Sequence, residues 1–291
     1  MTIHWARGTA AVLATAMLAG AAAAQPPPSG RMMTQDQLDG LAHKHDGYLG
    51  ALAPQNLKKP RPKAPFDVTG TWFVDLHQGF DKFMFGPPYP EFYAPGQQAL
   101  KDSAEAAKKG VRYRDSIGEC YPAGMPLIMT RVWPTAMVQL PTVIYMMFGF
   151  TNSLRIIYLD RAHSPADEVP STYNGESVGH WEGDTLVVST KYIEPDQHWI
   201  DRGIPISDQF EIVERMKMIE KGQTLQVEYI MTDPKMWKGE WRSTKRFLRQ
   251  DYSDISEVEC LPNLNQHLPS TAAGAAAMDA RAAAAKAEPA K

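Results

Sequence analysis

The feature that most constrains this chain is a run of short segments with an apolar–polar period of two, each joined to the next by a readable turn. Thr142–Phe150 and Ser153–Asp160 flank Thr151-Asn152, Ser177–Glu182 and Thr185–Tyr192 flank Gly183-Asp184, and Phe210–Glu220 and Gln223–Thr232 flank Lys221-Gly222. Two-residue turns rich in Gly, Asn and Asp match the twist of an antiparallel pair, so these segments read as three hairpins. Val68–Leu76 alternates in the same way before them, and Trp241–Arg249 after them. About eight strands in hairpin order, with one internal helix over Gln97–Lys109 ended by Gly110, predict a mainly β fold. The expected architecture is an antiparallel, lipocalin-like β-barrel, or a sandwich, with one or two short helices.

The barrel is expected over residues 66–264, roughly 200 residues, a size that suits one domain. Neither flank has material for a core. Residues 1–24 combine Arg7 with an Ala-rich apolar stretch ending in Ala22-Ala23-Ala24, the pattern of a cleaved export signal and too weakly apolar for a stable membrane span. Residues 25–65 hold a helix start at Thr34–Gln37 and a Pro- and Lys-rich linker, and residues 265–291 form an Ala-rich, disordered tail. The signal implies a periplasmic or secreted location. An oxidising compartment favours a bridge between Cys120 and Cys260, two unpaired thiols being the alternative. With 30 basic and 33 acidic side chains and a formal net charge of −3, the chain has no basic footprint for nucleic acid.

The third hairpin puts Phe210, Ile212, Glu214, Met216 and Met218 on one face and Leu225, Val227, Tyr229 and Met231 on the matching face of its partner. Glu214 then lies across from Tyr229 on the inward side. Desolvation raises the pKa of a carboxylate in such a place unless it is paired. Two readings follow: a general acid/base at the floor of a cavity, with Tyr229 as second proton donor, or a buried Glu bound to Tyr229 or a nearby Arg. Arg155 has the parity of Ile157 and Leu159; turned inward above Met146 and Phe148, it would hold a carboxylate, a phenolate or Glu214. Asp160, Arg161 and His163 follow in a loop, where His163 is either a base at the cavity mouth or an exposed loop histidine. On the second hairpin His180 and Glu182 share a face with Val187 and Ser189. A serine activated by His180 would lack both an acidic orienter and a nucleophile elbow, which favours a polar residue on the wetter face.

Trp72, Phe73, Phe80, Phe83, Phe85, Tyr89, Phe92 and Tyr93 crowd one strand and the loop after it, either as a lid over an apolar ligand or as a plug at one barrel end. Trp72, Phe148, Asp160, Arg161, Tyr173 and His180 complete the set expected to touch a ligand. The sequence has no HxxxH, HExxH or CxxC spacing, so no metal site is expected. The 15 methionines, with Met216 and Met218 pointing the same way, leave copper handling as a minor reading beside flexible core filling. No Gly-rich phosphate loop follows a strand, so no cofactor is expected.

Two resemblances accompany these readings. The segments Cys120-Tyr-Pro122-Ala-Gly124-Met-Pro126, Arg155-Ile-Ile-Tyr158 and Asn174-Gly-Glu-Ser-Val-Gly-His-Trp-Glu-Gly-Asp-Thr-Leu-Val-Val-Ser-Thr190 resemble a family of uncharacterised exported bacterial proteins. That family's pattern runs Cys-x-Pro-x-Gly-x-Pro, Arg-x-Ile-Tyr, an Asp-Gly-Arg-x-His-Pro loop and Gly-His-Ser-x-Gly-x-Trp-Glu-Gly-Asp-Thr-Leu-Val-Val-Asp-Thr. The similarity spans about Phe66 to Cys260 and brings no activity to transfer. Glu176 stands where the pattern has His, Ser189 where it has Asp, and Asp160-Arg161-Ala-His163-Ser-Pro165 replaces the Asp-Gly-Arg loop. If those positions carry the family's chemistry, that chemistry is altered here. Separately, Gly70-Thr71-Trp72 opening the first strand, with Arg242 and Arg246 in the last, resembles the lipocalin signature and supports the barrel.

The leading expectation is an exported, cofactor-independent enzyme, a lyase, isomerase or hydrolase, acting on a hydrophobic aromatic small molecule. Glu214 or His163 would be the acid/base, Tyr229 a proton donor and Arg155 the anion-stabilising group. The alternative is a periplasmic carrier of the same hydrophobic small molecules without catalysis. The sequence sets no oligomeric state.

Overall fold

In the computed structural model the residues described are 34, 49–77, 84–109, 117, 120–200, 203–258 and 260. The chain divides into a unit of residues 1–44 and a unit of residues 45–291, and all the strands described below belong to the second. The expected signal, the helix expected after Thr34, the residues Phe80 and Phe83, the Gly110 helix stop and the Ala-rich tail all fall outside the described residues.

Period-two alternation closes into a barrel because each strand turns one apolar face inward and finds a partner on both edges. The strands are β1 (Gly70–Val74), β2 (Glu91–Phe92), β3 (Thr135–Gln139), β4 (Val143–Phe148), β5 (Leu154–Tyr158), β6 (Glu176–Glu182), β7 (Thr185–Lys191), β8 (Glu211–Ile219), β9 (Thr224–Thr232), β10 (Trp237–Lys238) and β11 (Glu240–Arg249). A short helix α1 (Pro54–Leu57) precedes them, and α2 (Ala94–Lys108) follows β2. Nine strands form the closed barrel in the order β1-β11-β9-β8-β7-β6-β5-β4-β3, while β2 and β10 pair separately.

Two of the three hairpin registers follow the expected turns. Thr151 and Asn152 adopt left-handed φ of 54° and 49° between β4 and β5, but Met147 pairs with Leu154, two residues away from the register of the expected two-residue turn, which keeps every side chain on its expected face. Glu182 pairs with Thr185 across Gly183-Asp184. Glu214 pairs with Tyr229, although Glu220–Gly222 forms a 3₁₀ turn in place of the expected two-residue turn.

The barrel departs from a run of hairpins at one seam. Nine strands cannot alternate in direction all the way round a ring, so one neighbouring pair must run parallel. That pair is β5 and β6, joined through only Ile157↔Ser177 and Tyr158↔Val178. A parallel pair needs a crossover connection, and residues 159–175 supply it. β3 was also unassigned in the sequence reading; Pro134 and Pro141 confine it to five residues, too short for its alternation to stand out.

Each end of the barrel is stoppered. At one end Tyr89 and Phe92 stack edge-on against Trp241 at 5.5 and 5.7 Å, and Phe210 and Trp241 against Trp237 at 5.9 Å each. The β2–β10 pairing, Trp237↔Phe92, holds this cluster in place. Phe85, from the same loop, reaches fully buried against Tyr229, ring centroids 5.1 Å apart. Of the two readings of the aromatic loop, the described part is a plug.

At the other end Trp72 is buried, its Nε1 donating to Val68 O at 2.8 Å. The Arg249 guanidinium lies over its ring at 4.3 Å and donates to Thr69 O at 2.8 Å and Gly222 O at 3.1 Å. The arginine that completes the Gly-x-Trp pattern is therefore Arg249, correcting the expectation of Arg242 or Arg246. Those two have outward parity and pair with Glu228, Glu240 and Glu220. Gly70, at φ +146°, is required because a Cβ there would collide with the Arg249 guanidinium. Cys120 and Cys260 are bridged across a separation of 140 residues, with Cα atoms 5.5 Å apart.

Arg249→Ala removes a cation–π contact and two charge-assisted hydrogen bonds, and is expected to lower the unfolding free energy by about 2 kcal/mol. Urea unfolding of variant and parent measures it; an unchanged midpoint would show that Arg249 does not clamp this end.

Candidate functional site

Two polar clusters flank the parallel seam, one inside the barrel wall and one outside. Inside, Arg155 from β5 is 1% exposed and Glu214 from β8 is 0% exposed. Arg155 Nη1 donates to Glu214 Oε1 at 3.1 Å, and Nη2 donates to Oε2 in a closer ion pair. Nη2 also donates to Thr190 Oγ1 at 3.0 Å, and Nε to Ser177 Oγ at 3.1 Å. Met146 Sδ lies 3.9 Å from Nη1, and Ser177 and Thr190 share a 2.9 Å hydrogen bond. A guanidinium has five N–H donors in a fixed fork, and this setting engages the whole fork. The inward Arg155 and its pairing with Glu214 match one of the sequence readings. Ser177 and Thr190 were missed, although their inward parity on Val-rich strands was a readable signal.

Tyr229 completes the interior group. It is 0% exposed and its hydroxyl has no hydrogen-bond partner. Burial first, and the nearby Glu214 charge second, push its pKa well above the ordinary phenol value, with Arg155 opposing. It therefore stays a neutral O–H donor at any working pH. Arg155 binds both Glu214 oxygens and so ties the carboxylate to the barrel wall.

Outside, the crossover loop is pinned to the wall by His163 and Ser164. His163 Nδ1 lies 2.9 Å from Glu176 Oε2, and its Nε2 lies 3.0 Å from Ser189 Oγ. Ser164 donates to Glu176 twice, from its backbone N at 3.0 Å and from Oγ at 2.7 Å. Burial alone would raise the Glu176 pKa, but the hydrogen bonds from His163 and Ser164, with the His163 charge, hold it down to about 2. Tyr192 packs edge-on against the His163 ring at 6.2 Å, and its hydroxyl donates to Ser164 O at 2.7 Å. His163 is thus neither in the barrel mouth nor a free loop histidine. The sequence set Ser189 beside His180, whereas in the fold its imidazole partner is His163 and the acidic group on that ring is Glu176.

The remaining candidates have other placements. His180 is exposed on the outer wall and pairs with Glu182 at 3.1 Å, so it lines no interior. Asp160 accepts from Asn56 Nδ2 at 2.6 Å and pairs with Arg61 at 3.5 Å, tying the segment before β1 to the barrel. Trp72 is committed to the end clamp, and Phe148 and Met216 belong to the core. Arg161 stacks over the Tyr158 ring at 3.1 Å. Tyr173 donates to Asp196 O at 3.0 Å and lies against His198, ring centroids 5.5 Å apart. Burial pushes the His198 pKa down to about 4, although Nδ1 donates to Glu194 O at 2.8 Å. A groove of about 680 Å³ by β8, β9 and β10 is lined by Tyr93, Asp208, Glu211, Trp237 and Lys238 among others. Its charges are answered by Lys235, Lys191 and Glu91.

Arg155→Met strands a carboxylate in the core and is expected to cost roughly 3–5 kcal/mol of stability, while Arg155→Met/Glu214→Leu costs less than that single change. Denaturant unfolding of the parent and the two variants decides it; a double variant no more stable than Arg155→Met would show that the stranded carboxylate is not what the single change costs. Acid stability has two windows. His198, lowered from 6.5 to about 4, stays neutral in the fold where the unfolded chain would protonate. Its contribution is complete above about pH 6.5 and falls as pH drops towards 4, by on the order of 3 kcal/mol. Glu176, lowered from 4.5 to about 2, contributes fully above about 4.5 and loses that contribution as pH falls towards 2. Urea midpoints between pH 7 and 4 should flatten in His198→Gln, and an unchanged slope would remove His198 as the cause.

No family model and no curated protein matches the chain. Among solved structures it is similar to the REP1-NXSQ fatty acid transporter, at 9% identity and a TM-score of 0.29, covering 64% of this chain and 98% of that one. It is also similar to apo lipid binding protein 8 of Caenorhabditis elegans, at 11% identity and a TM-score of 0.28, covering 62% and 94%. Likenesses at that distance transfer neither ligand nor chemistry to this chain.

Proposed function

We propose that this protein is an exported carrier that binds a hydrophobic or aromatic small molecule inside its barrel, without transforming it there. The observation that carries the reading is the Tyr229 hydroxyl, fully buried between Phe85 and the Arg155–Glu214 pair and with no hydrogen-bond partner. Leaving such a group unsatisfied costs roughly 1–3 kcal/mol, and a ligand oxygen accepting from it would recover that cost. Phe85 packs against Tyr229 from a loop, so its withdrawal would open the space next to the hydroxyl. The ligand class that fits is a largely apolar molecule carrying one neutral acceptor such as a carbonyl. The engagement of both Glu214 oxygens by Arg155 favours carriage over acid/base turnover at this place. Export is supported by the sequence of residues 1–24 and by the Cys120–Cys260 bridge.

The test is displacement of the neutral fluorophore N-phenyl-1-naphthylamine by naphthalene and by 1-acetonaphthone. The protein should bind the fluorophore and prefer the ketone. Tyr229→Phe should weaken the ketone alone, by about tenfold at most, and Phe85→Ala should tighten both. No fluorophore binding in the parent or in Phe85→Ala would sink the carrier reading.

A further inference from the structure

We propose that Ser189, His163 and Glu176 form a second, catalytic site on the outer wall of the barrel, which hydrolyses small carboxylic esters with Ser189 as nucleophile. The site is separate from the barrel interior and does not rest on the carrier reading. In the ring, Ser177 and Val188 face inward and Glu176 and Ser189 outward, and the crossover loop brings His163 between the two outward residues.

The hydrogen-bond geometry fixes the direction of proton flow. Glu176 is buried and carboxylate oxygens only accept, so His163 Nδ1 carries the proton and donates to it. Nε2 then presents its lone pair to Ser189 Oγ, 3.0 Å away. A nucleophile within hydrogen-bond reach of a base that is itself oriented by a third group is the arrangement that activates a serine hydroxyl. The two Ser164 donors hold the orienting carboxylate still. His163 keeps 18% of its side chain exposed and Ser189 is half-buried, so the pair is reachable from solvent. The chemistry balances with water as the only co-reactant. Ser189 Oγ bonds to the ester carbonyl carbon as its proton passes to His163 Nε2. Collapse breaks the carbon–alkoxy bond, and the leaving alcohol takes that proton. Water then attacks the acyl-serine, giving its proton to Nε2, and the departing Ser189 Oγ recovers it as the acid leaves.

The surroundings set the substrate class. The strand partners of Ser189 are Val178 and Val213, which suit a short apolar stretch next to the carbonyl. Further along the same outward row, Tyr158 pairs with Val178 and carries the Arg161 guanidinium on its ring. The Arg161 Nε and Nη2 are shielded from solvent and have no hydrogen-bond partner, a costly state that an anion would relieve. Tyr158 lies two strand spacings, roughly 10 Å, from Ser189. The esters that fit therefore carry an anionic group a few bonds from the carbonyl.

The test uses the purified protein with diisopropyl fluorophosphate, 4-nitrophenyl acetate and 4-nitrophenyl hydrogen succinate. The expected results are a one-to-one diisopropylphosphoryl adduct on Ser189, formed with loss of fluoride, and catalysed release of nitrophenolate from both esters. Ser189→Ala should abolish the adduct and lower turnover by about a hundredfold or more, and His163→Gln should do the same. Arg161→Gln should lower kcat/KM for the succinate about tenfold relative to that for the acetate. The parent result does not depend on any variant folding. Absence of a Ser189 adduct in the parent, or turnover that survives in Ser189→Ala, overturns the proposal. Equal kcat/KM for the two esters in the parent overturns the anionic substrate class.

Discussion

Everything specific about this barrel follows from its closing with an odd number of strands. A ring of nine forces one parallel neighbour pair, and the chain meets that demand between β5 and β6, with two register pairs. So short a seam has little backbone hydrogen bonding of its own. It is stapled from both sides by side chains instead. From within, Arg155 on β5 reaches Ser177 on β6, Thr190 on β7 and Glu214 on β8. From without, the crossover turns back over the wall and His163 joins Glu176 on β6 to Ser189 on β7. The two polar clusters lie where they do because the backbone alone is weakest there.

The staples differ in what they leave available. The inner one is closed: its charges cancel, its donors are engaged, and water is excluded from it. A buried ion pair of this kind contributes less to net stability than its geometry suggests, since desolvation offsets most of the attraction. Its better-supported role is to fix which strands meet and in what register, because any slip would strand a charge in the core. Tyr229 stands at its edge, a phenol whose pKa burial pushes well above the ordinary value. The outer staple is open. Its histidine reaches solvent and its serine is held by that histidine, so the same bonds that fasten the loop also prepare a hydroxyl for chemistry.

Much of the fold was legible because turn residues and alternation fixed the hairpins. Gly183-Asp184 set the second hairpin, and the Lys221-Gly222 turn with the Phe210–Thr232 alternation set Glu214 opposite Tyr229. The inward Arg155 followed from parity alone. The parallel seam was not legible, since a crossover loop has no period of its own and the hairpin signal stops at Asp160. β3, fenced by prolines, was too short to show alternation. The Gly70-Thr71-Trp72 opening was read together with arginines of the last strand, but the clamp on Trp72 comes from a third one: Arg242 and Arg246 have outward parity, whereas Arg249 lies over the Trp72 ring. The outer cluster was missed for a plainer reason. His163 meets Glu176 and Ser189 only after the crossover folds back, and no local spacing encodes that return.

The polarity of the outer cluster is set by which group stands on each side of one imidazole. Glu176 supplies an anion for His163 Nδ1, and Ser189 presents a hydroxyl, not a second anion, to Nε2. A carboxylate at both positions would make both ring nitrogens donors and leave no lone pair to take a proton. One carboxylate and one hydroxyl give the imidazole the polarity that a base needs.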